Sequence, residues 1–267
     1  MKIDLSGRTA LVTGSTQGIG EAIARHLAAA GARVGVNGRS AKSVSSAVAN
    51  LAAALGDDPA GDLVAVDADV TTDNGVRRVL ELLPDVDILV NNLGIFGPRP
   101  ALEISDEEWR RYFDTNVLTG IRLTRAYLPG MMRRGWGRVQ YIASDSAVVI
   151  PTEMIHYGMS KTALLAVSRG FAKGAAGSGV TVNSVLAGPT HTAGVEDFVY
   201  QLVDRDLPWD EAQREFMKRH RPQSLLQRLI EPAEIANLVV YLSSPLASAT
   251  TGGAVRVDGG YIDAILP

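Results

Sequence analysis

The stretch Thr9-Ala10-Leu11-Val12-Thr13-Gly14-Ser15-Thr16-Gln17-Gly18-Ile19-Gly20-Glu21-Ala22-Ile23-Ala24-Arg25-His26-Leu27 decides the fold. Thr9 to Thr13 is a short apolar and β-branched run, as a strand covered on both faces requires. Gly14, Gly18 and Gly20 follow at once, and beyond them the segment is amphipathic at helical spacing. A turn without side chains lets backbone approach a pyrophosphate. The helix after it offers unpaired N–H groups and the positive end of its dipole. Isolated glycines serve ordinary tight turns just as well, so it is the strand before and the helix after that give the motif its meaning.

Outward from this stretch the same alternation continues. Strands are expected at Thr9 to Thr13, Arg33 to Asn37, Asp62 to Asp67, Ile88 to Asn91, Arg138 to Ala143, Thr181 to Leu186 and Ala254 to Val257. Between them lie helical stretches such as Gly18 to Ala30, Asp106 to Arg134, Met154 to Ala176 and Pro232 to Leu242. Short apolar runs alternating with helices make βα units on a parallel sheet. The expected architecture is one α/β domain over residues 1–267, a doubly wound parallel sheet of about seven strands with helices on both faces. The least regular region, 190–227, is long for a connection inside a compact domain. Such segments are more often functional than idle, so it is the candidate substrate lid.

Composition narrows the function. The chain has 267 residues, 46% of them hydrophobic, and a net charge of −3, which supplies no field to gather nucleic acid or an anionic membrane. It contains no cysteine, so disulfides, thiolate catalysis and cysteine-ligated metals are excluded, and redox chemistry needs a bound cofactor. Four scattered histidines lack metal-ligand spacing, and no metal is expected. The opening residues, Met1 to Arg8, lack the apolar core of a secretory leader, and no run of about 18 apolar residues follows, so the expectation is a cytoplasmic protein without membrane spans.

The spacing Gly14-x-x-x-Gly18-x-Gly20, with Thr13 before it and Ile19 inside it, resembles the short-chain dehydrogenase/reductase family. Asp69-Val70, Asn91-Asn92-Leu93-Gly94, Asn116, Ser144, Tyr157, Lys161, Asn183, Gly188-Pro189-Thr190 and Asp258-Gly259-Gly260 follow in family order, with 3-oxoacyl-[acyl-carrier-protein] reductases among the members it is similar to. The resemblance implies a Rossmann-type fold and hydride transfer between a nicotinamide cofactor and a ketone or secondary alcohol. It places Gly14, Ser15, Gln17, Gly18, Ile19, Gly20, Arg39, Asp69, Val70, Asn92, Gly94, Tyr157, Lys161, Pro189, Thr190 and Thr192 on that cofactor. It also implies a homodimer or homotetramer, with the helices 106–134 and 154–176 at the interfaces.

Tyr157 and Lys161, four apart in a helical stretch, share one face. Hydride arriving at a carbonyl carbon leaves charge on the oxygen, so a proton donor and a hydrogen-bond donor must already be aimed there. The resemblance gives these roles to Tyr157 and Ser144. Lys161 then holds the nicotinamide ribose and, with the charge of oxidised nicotinamide, lowers the phenol pKa. Asn116 ties the lysine to a water relay.

At the end of the second strand, where NAD-preferring relatives carry an acid, stands Gly38, followed by Arg39, a partner for a 2′-phosphate unless it is only a surface charge. NADP(H) is therefore expected over NAD(H). Leu93 either packs beneath the loop or narrows the channel, and Asp145 either faces solvent or adds charge beside the pocket. Phe96, Val148, Ile150, Met154, Ile155, Phe198, Tyr200, Trp209, Phe216 and Met217 are the expected, largely apolar, substrate walls, and His191 borders the nicotinamide pocket. His156 points away from Tyr157 around the helix and receives no proton role. The readings are an NADP(H)-dependent reductase of ketones or 3-oxoacyl thioesters, an NAD-dependent polyol or hydroxysteroid dehydrogenase, and a redox-silent NADP-binding scaffold or sensor.

Overall fold

In the computed structural model, residues 3–56 and 61–265 are described; the expected domain's positions 1–2, 57–60 and 266–267 lie outside them. The strands are β1 (Thr9–Val12), β2 (Arg33–Gly38), β3 (Leu63–Asp67), β4 (Ile88–Asn91), β5 (Gly137–Ser144), β6 (Val180–Ala187) and β7 (Ala254–Val257). All are parallel, in the order β3-β2-β1-β4-β5-β6-β7. Every residue of β4, β5 and β6 is buried; Ile88-Leu89-Val90 of β4 is a continuous apolar run, while β5 and β6 also bury polar side chains such as Gln140 and Asn183, which are hydrogen-bonded.

The helices are α1 (Gly18–Ala29), α2 (Ala41–Leu55), α3 (Asp73–Leu82), α4 (Asp106–Phe113), α5 (Thr119–Arg134), α6 (Ile155–Gly174), α7 (Ala193–Leu202), α8 (Trp209–His220) and α9 (Pro232–Ser243). Successive strand residues point to opposite faces, so the sheet carries two cores. Ala10, Val12, Ile88 and Val90 pack with Ile23 and Leu27 of α1 and Val239 of α9. Leu11 and Leu89 pack on the other side with Leu123 and Met131 of α5 and Leu164 of α6. The chain lays β2 and β3 to one side of β1, then returns to put β4 on the other. That reversal opens a crevice at the carboxyl ends of the strands.

Two expectations are refined. The helical stretch Asp106 to Arg134 is unbroken, but it consists of α4 and α5 with a π-turn over Asp114–Leu118 between them, whose widened ring contains the buried Asn116. Region 190–227 is more regular than its composition suggests, since it holds α7 and α8. They cover a small separate core of Phe198, Val199, Ala212, Phe216 and Met217 against Met154 and Leu229. α8 has Asp210, Glu211, Arg214, Glu215, Lys218 and Arg219 around its few apolar residues, and that charge masks the helical period.

Candidate active site

β1 ends at the glycine turn. Gly14 and Gly18 both have φ of +61°, a left-handed conformation that side chains disfavour. A Cβ on Gly20 would lie 2.4 Å from the Gly14 carbonyl and 2.5 Å from Asn92 Nδ2, so only glycine allows α1 to start this close to the loop. Asn92 holds the turn by donating to the carbonyls of Thr13 (2.9 Å) and Gly14 (3.1 Å), while Thr13 Oγ1 accepts from the Asn92 and Leu93 amides. Leu93 packs partly buried against the second core and also borders the cavity beside Gly14.

A cavity of about 620 Å³ runs from this turn across the crevice. Gly14, Gln17, Gly18, Ile19, Gly20, Arg39, Asp69, Val70, Asn92, Gly94, Tyr157, Lys161, Pro189, Thr190 and Thr192 all line it. Ser15 is the exception. It is fully buried, its Oγ donating to the Val12 carbonyl (2.7 Å) and accepting from the Asn37 amide (2.9 Å), so its side chain braces the loop from behind. Asn37 is similarly committed, donating to the Val66 and Ala68 carbonyls. At Gly38 a Cβ would meet the Thr16 methyl at 2.6 Å. The end of β2 thus has no room for an acid as it stands, and Arg39 is the cation on that rim.

Farther along, β5 delivers Ser144 and α6 delivers Tyr157 and Lys161 to the same cavity. Lys161 is buried, its ammonium donates to the Ile142 carbonyl at 2.8 Å, and desolvation draws its pKa down to about 8. Tyr157 differs from expectation. Burial raises its phenol above the ordinary value, with Asp145 and Tyr112 adding to the rise and a Ser144 hydrogen bond and Arg221 opposing it. The Lys161 ammonium sits over the Tyr157 ring, 5.5 Å from its centroid, with one of its three N–H groups on the Ile142 carbonyl, and in the protein alone desolvation is the larger influence on the phenol.

Asn116 does not line the cavity. Its amide is occupied by Ile95 on both sides, accepting from the amide (2.8 Å) and donating to the carbonyl (3.0 Å), and by Ser160 (2.9 Å). It therefore secures the segment after Asn92, and its side chain has no bond to Lys161 in this arrangement. The π-turn aims it there.

At the substrate end Phe96, Met154, Phe198 and Phe216 line the cavity as expected, whereas Val148, Ile150, Ile155, Tyr200, Trp209 and Met217 do not. Tyr200, Trp209 and Met217 are spent inside the α7–α8 core. His191 is also diverted from the pocket: it pairs with Glu196 (2.6 Å) and Glu231 (3.5 Å) and stacks on Trp209. His156 packs against Tyr112 and Trp109, away from the cavity. Three charged residues join the lining: Arg111, Arg221 and Asp145. Arg221, just past α8, donates to Glu153 (3.3 Å) and lies over the rings of Phe216 and Tyr261. Nothing local in the sequence marks it, because its position depends on how α8 folds back. Asp145 is buried rather than solvent-facing. Among the described residues no three His, Asp or Glu side chains gather as a metal site, and no helix is long and apolar enough to cross a membrane.

Comparison with known proteins agrees with this geometry. The family described as Enoyl-(Acyl carrier protein) reductase matches residues 14–262. The chain is 46% identical to the Bacillus subtilis (strain 168) protein named Uncharacterized oxidoreductase YvaG, over 99% of this chain and 100% of the relative. It is 32% identical to the 3-oxoacyl-[acyl-carrier-protein] reductase FabG of Aquifex aeolicus (strain VF5), over 97% of this chain and 99% of the relative. Among solved structures, L-sorbose reductase from Gluconobacter frateurii, complexed with NADPH and L-sorbose, superposes with a TM-score of 0.90 at 31% identity, covering 99% of this chain and 100% of that one. With its sheet order, glycine turn and near-complete overlap with these relatives, the chain belongs to the short-chain dehydrogenase/reductase family and is an NAD(P)-dependent oxidoreductase of that family.

Proposed function

We propose that the protein is an NADP(H)-dependent reductase that converts a ketone to a secondary alcohol, with Tyr157 as acid/base, Ser144 as hydrogen-bond donor to the reacting oxygen and Lys161 as the cation beside them. The observation that carries this reading is one cavity lined by the glycine turn at one end and by Ser144, Tyr157 and Lys161 at the other. The cradle fits a dinucleotide: left-handed glycines and the Gly20 approach leave room for backbone to meet a pyrophosphate, Thr192 lies beside Gly18, and Thr190 lines the same cavity. When bound, the nicotinamide supplies or takes up the hydride.

The rest is work for the protein. Ser144 donates to the carbonyl oxygen as charge grows on it, and Tyr157 then gives its phenolic proton to that oxygen. The charge of Lys161 supports the phenolate left behind, and its ammonium would hold the nicotinamide ribose. Asn116 acts through Ile95, keeping the cavity wall in place. Tyr157→Phe is expected to lower turnover by about 10²–10⁴-fold while sparing cofactor binding. Unchanged turnover would overturn the assignment, and a protein that binds NADPH but turns over no carbonyl or alcohol would be the redox-silent scaffold.

NADP(H) is favoured because Gly38 has no space for an acidic side chain and Arg39 borders the same end of the cavity. A higher kcat/KM with NADH than with NADPH would refute this. The aromatic wall suits an apolar carbonyl or 3-oxoacyl compound. A hydroxylated ketone is the second reading, favoured by Arg111, Arg221 and Asp145 in the lining and by the likeness to the L-sorbose reductase complex. A screen of both substrate classes, followed by nicotinamide absorbance, separates them. Residues 190–227 are read as the substrate lid, and the working state as a cytoplasmic homodimer or homotetramer, which a monomer in sedimentation would contradict.

A further inference from the structure

Ser144 has one proton and two acceptor lone pairs. The Ser146 amide donates to its Oγ at 3.1 Å, and Asp145 Oδ1 lies 2.8 Å from the same oxygen. If Asp145 is ionised, it can only accept, so the single proton of Ser144 is drawn to Asp145 and none is left for a substrate. If Asp145 is protonated, the same contact runs the other way. Asp145 then donates to Ser144, both lone pairs are filled, and the Ser144 proton is free to turn to the side of Tyr157 and the cavity.

We propose that Asp145 is a positioning residue whose protonation turns the Ser144 hydroxyl toward the reacting oxygen, and whose ionisation turns it away. This rests on the reading of Ser144 as hydrogen-bond donor. No proton leaves Asp145 during turnover, since the proton added to the product comes from Tyr157 and Asp145 only fixes a hydrogen-bond direction.

The surroundings favour the neutral acid. Asp145 is buried, both serine contacts fall on Oδ1 (the second from Ser146 Oγ at 3.2 Å), and Oδ2 is buried without a partner. A carboxylate left with an unpartnered buried oxygen is costly. The charged and titratable groups around it are Tyr157 from α6, Arg221 beyond α8 with its partner Glu153, and Tyr261 near the end of the chain. Arg221 and the serines pull toward the ionised form, and Glu153 spends part of that arginine's charge. Desolvation outweighs them and raises the Asp145 pKa.

The test uses the full chain. With carboxyl-¹³C aspartate labelling and saturating NADPH, the Asp145 resonance, assigned by its absence in D145N, is expected to titrate above the ordinary aspartate value of about 3.9. Titration at or below that value overturns the proposal, and this readout needs no turnover. In parallel, kcat/KM for carbonyl reduction is measured against pH for wild type, D145N and D145A. The wild type is expected to lose activity at a lower pH than either variant, because Asn keeps a donor toward Ser144 at every pH and Ala leaves the hydroxyl free. Superimposable profiles overturn the proposal. An absence of turnover in every protein refutes the proposed reaction instead, while the carboxyl titration still decides the protonation state of Asp145.

Discussion

The two ends of the cavity are built by different means. The cofactor end is made of backbone: glycines in left-handed conformation, the Asn92 clamp, and strands whose side chains are sealed inside two large cores. The substrate end is made of side chains: Phe198 and Phe216 from α7 and α8, which rest on a small core of their own, with Phe96 and Met154 beside them. Backbone cradles tolerate little change of sequence, whereas a separately packed cap can be refashioned without disturbing the sheet. Ser144 and Lys161, delivered by β5 and α6, stand between the two.

The sharpest way to break the contrast is to empty the cap's core. Phe198→Ala removes a buried ring that touches both Phe96 and Phe216, a change worth about 3–5 kcal/mol. Hydrogen exchange is expected to rise over residues 193–220 while the sheet keeps its protection, and KM for the carbonyl substrate should rise with NADPH affinity unchanged. Uniform loss of protection would show that the cap is not a separate unit.

Lys161 tests the buried chemistry. Because its folded pKa is lowered to about 8, the unfolded chain binds the extra proton between that pH and the ordinary lysine value. Its burial penalty is therefore fully present below about pH 8 and relieved as pH rises toward about 10.4, by at most about 3 kcal/mol. The stability gap between wild type and Lys161→Met, from urea titrations across this range, should move in the wild type's favour with rising pH.

Gly20→Val should cost about 1–3 kcal/mol of overpacking against the Gly14 carbonyl, reducing NADPH affinity by about 10–100-fold in a fluorescence titration. The smallest expected effect is at Arg221. Arg221→Met removes its bonds to Glu153 and is expected to raise the substrate KM by about tenfold with cofactor affinity unaltered.

This division also explains what could be read from the chain. Each strand was found to within two residues because short apolar and β-branched segments recur between helical stretches, even where a strand is only partly buried, as β3 and β7 are, and the glycine turn was legible because a Cβ on Gly20 does not fit there. Ser144, Tyr157 and Lys161 were singled out by order and spacing, and the fold brings all three to one cavity. Ser15 was placed on the cofactor because sequence does not say which way a loop side chain turns. The π-turn was hidden since it adds one residue to an otherwise continuous helical pattern. Arg221 and the true burial of Asp145 depend on contacts between segments far apart in the chain, for which local pattern carries no signal.

The sheet order has a consequence for how the molecule comes into being. Asn92, which clamps the glycine turn, bonds to a carbonyl 79 residues earlier, because β1 must wait for β4 to arrive beside it. During synthesis the turn leaves the ribosome long before its clamp, and such distant parallel pairings close slowly. A nascent chain that ends before Asn92 therefore lacks a finished cradle, so cofactor cannot serve as an early template for folding. It can only capture the domain late, once the middle of the sheet has closed.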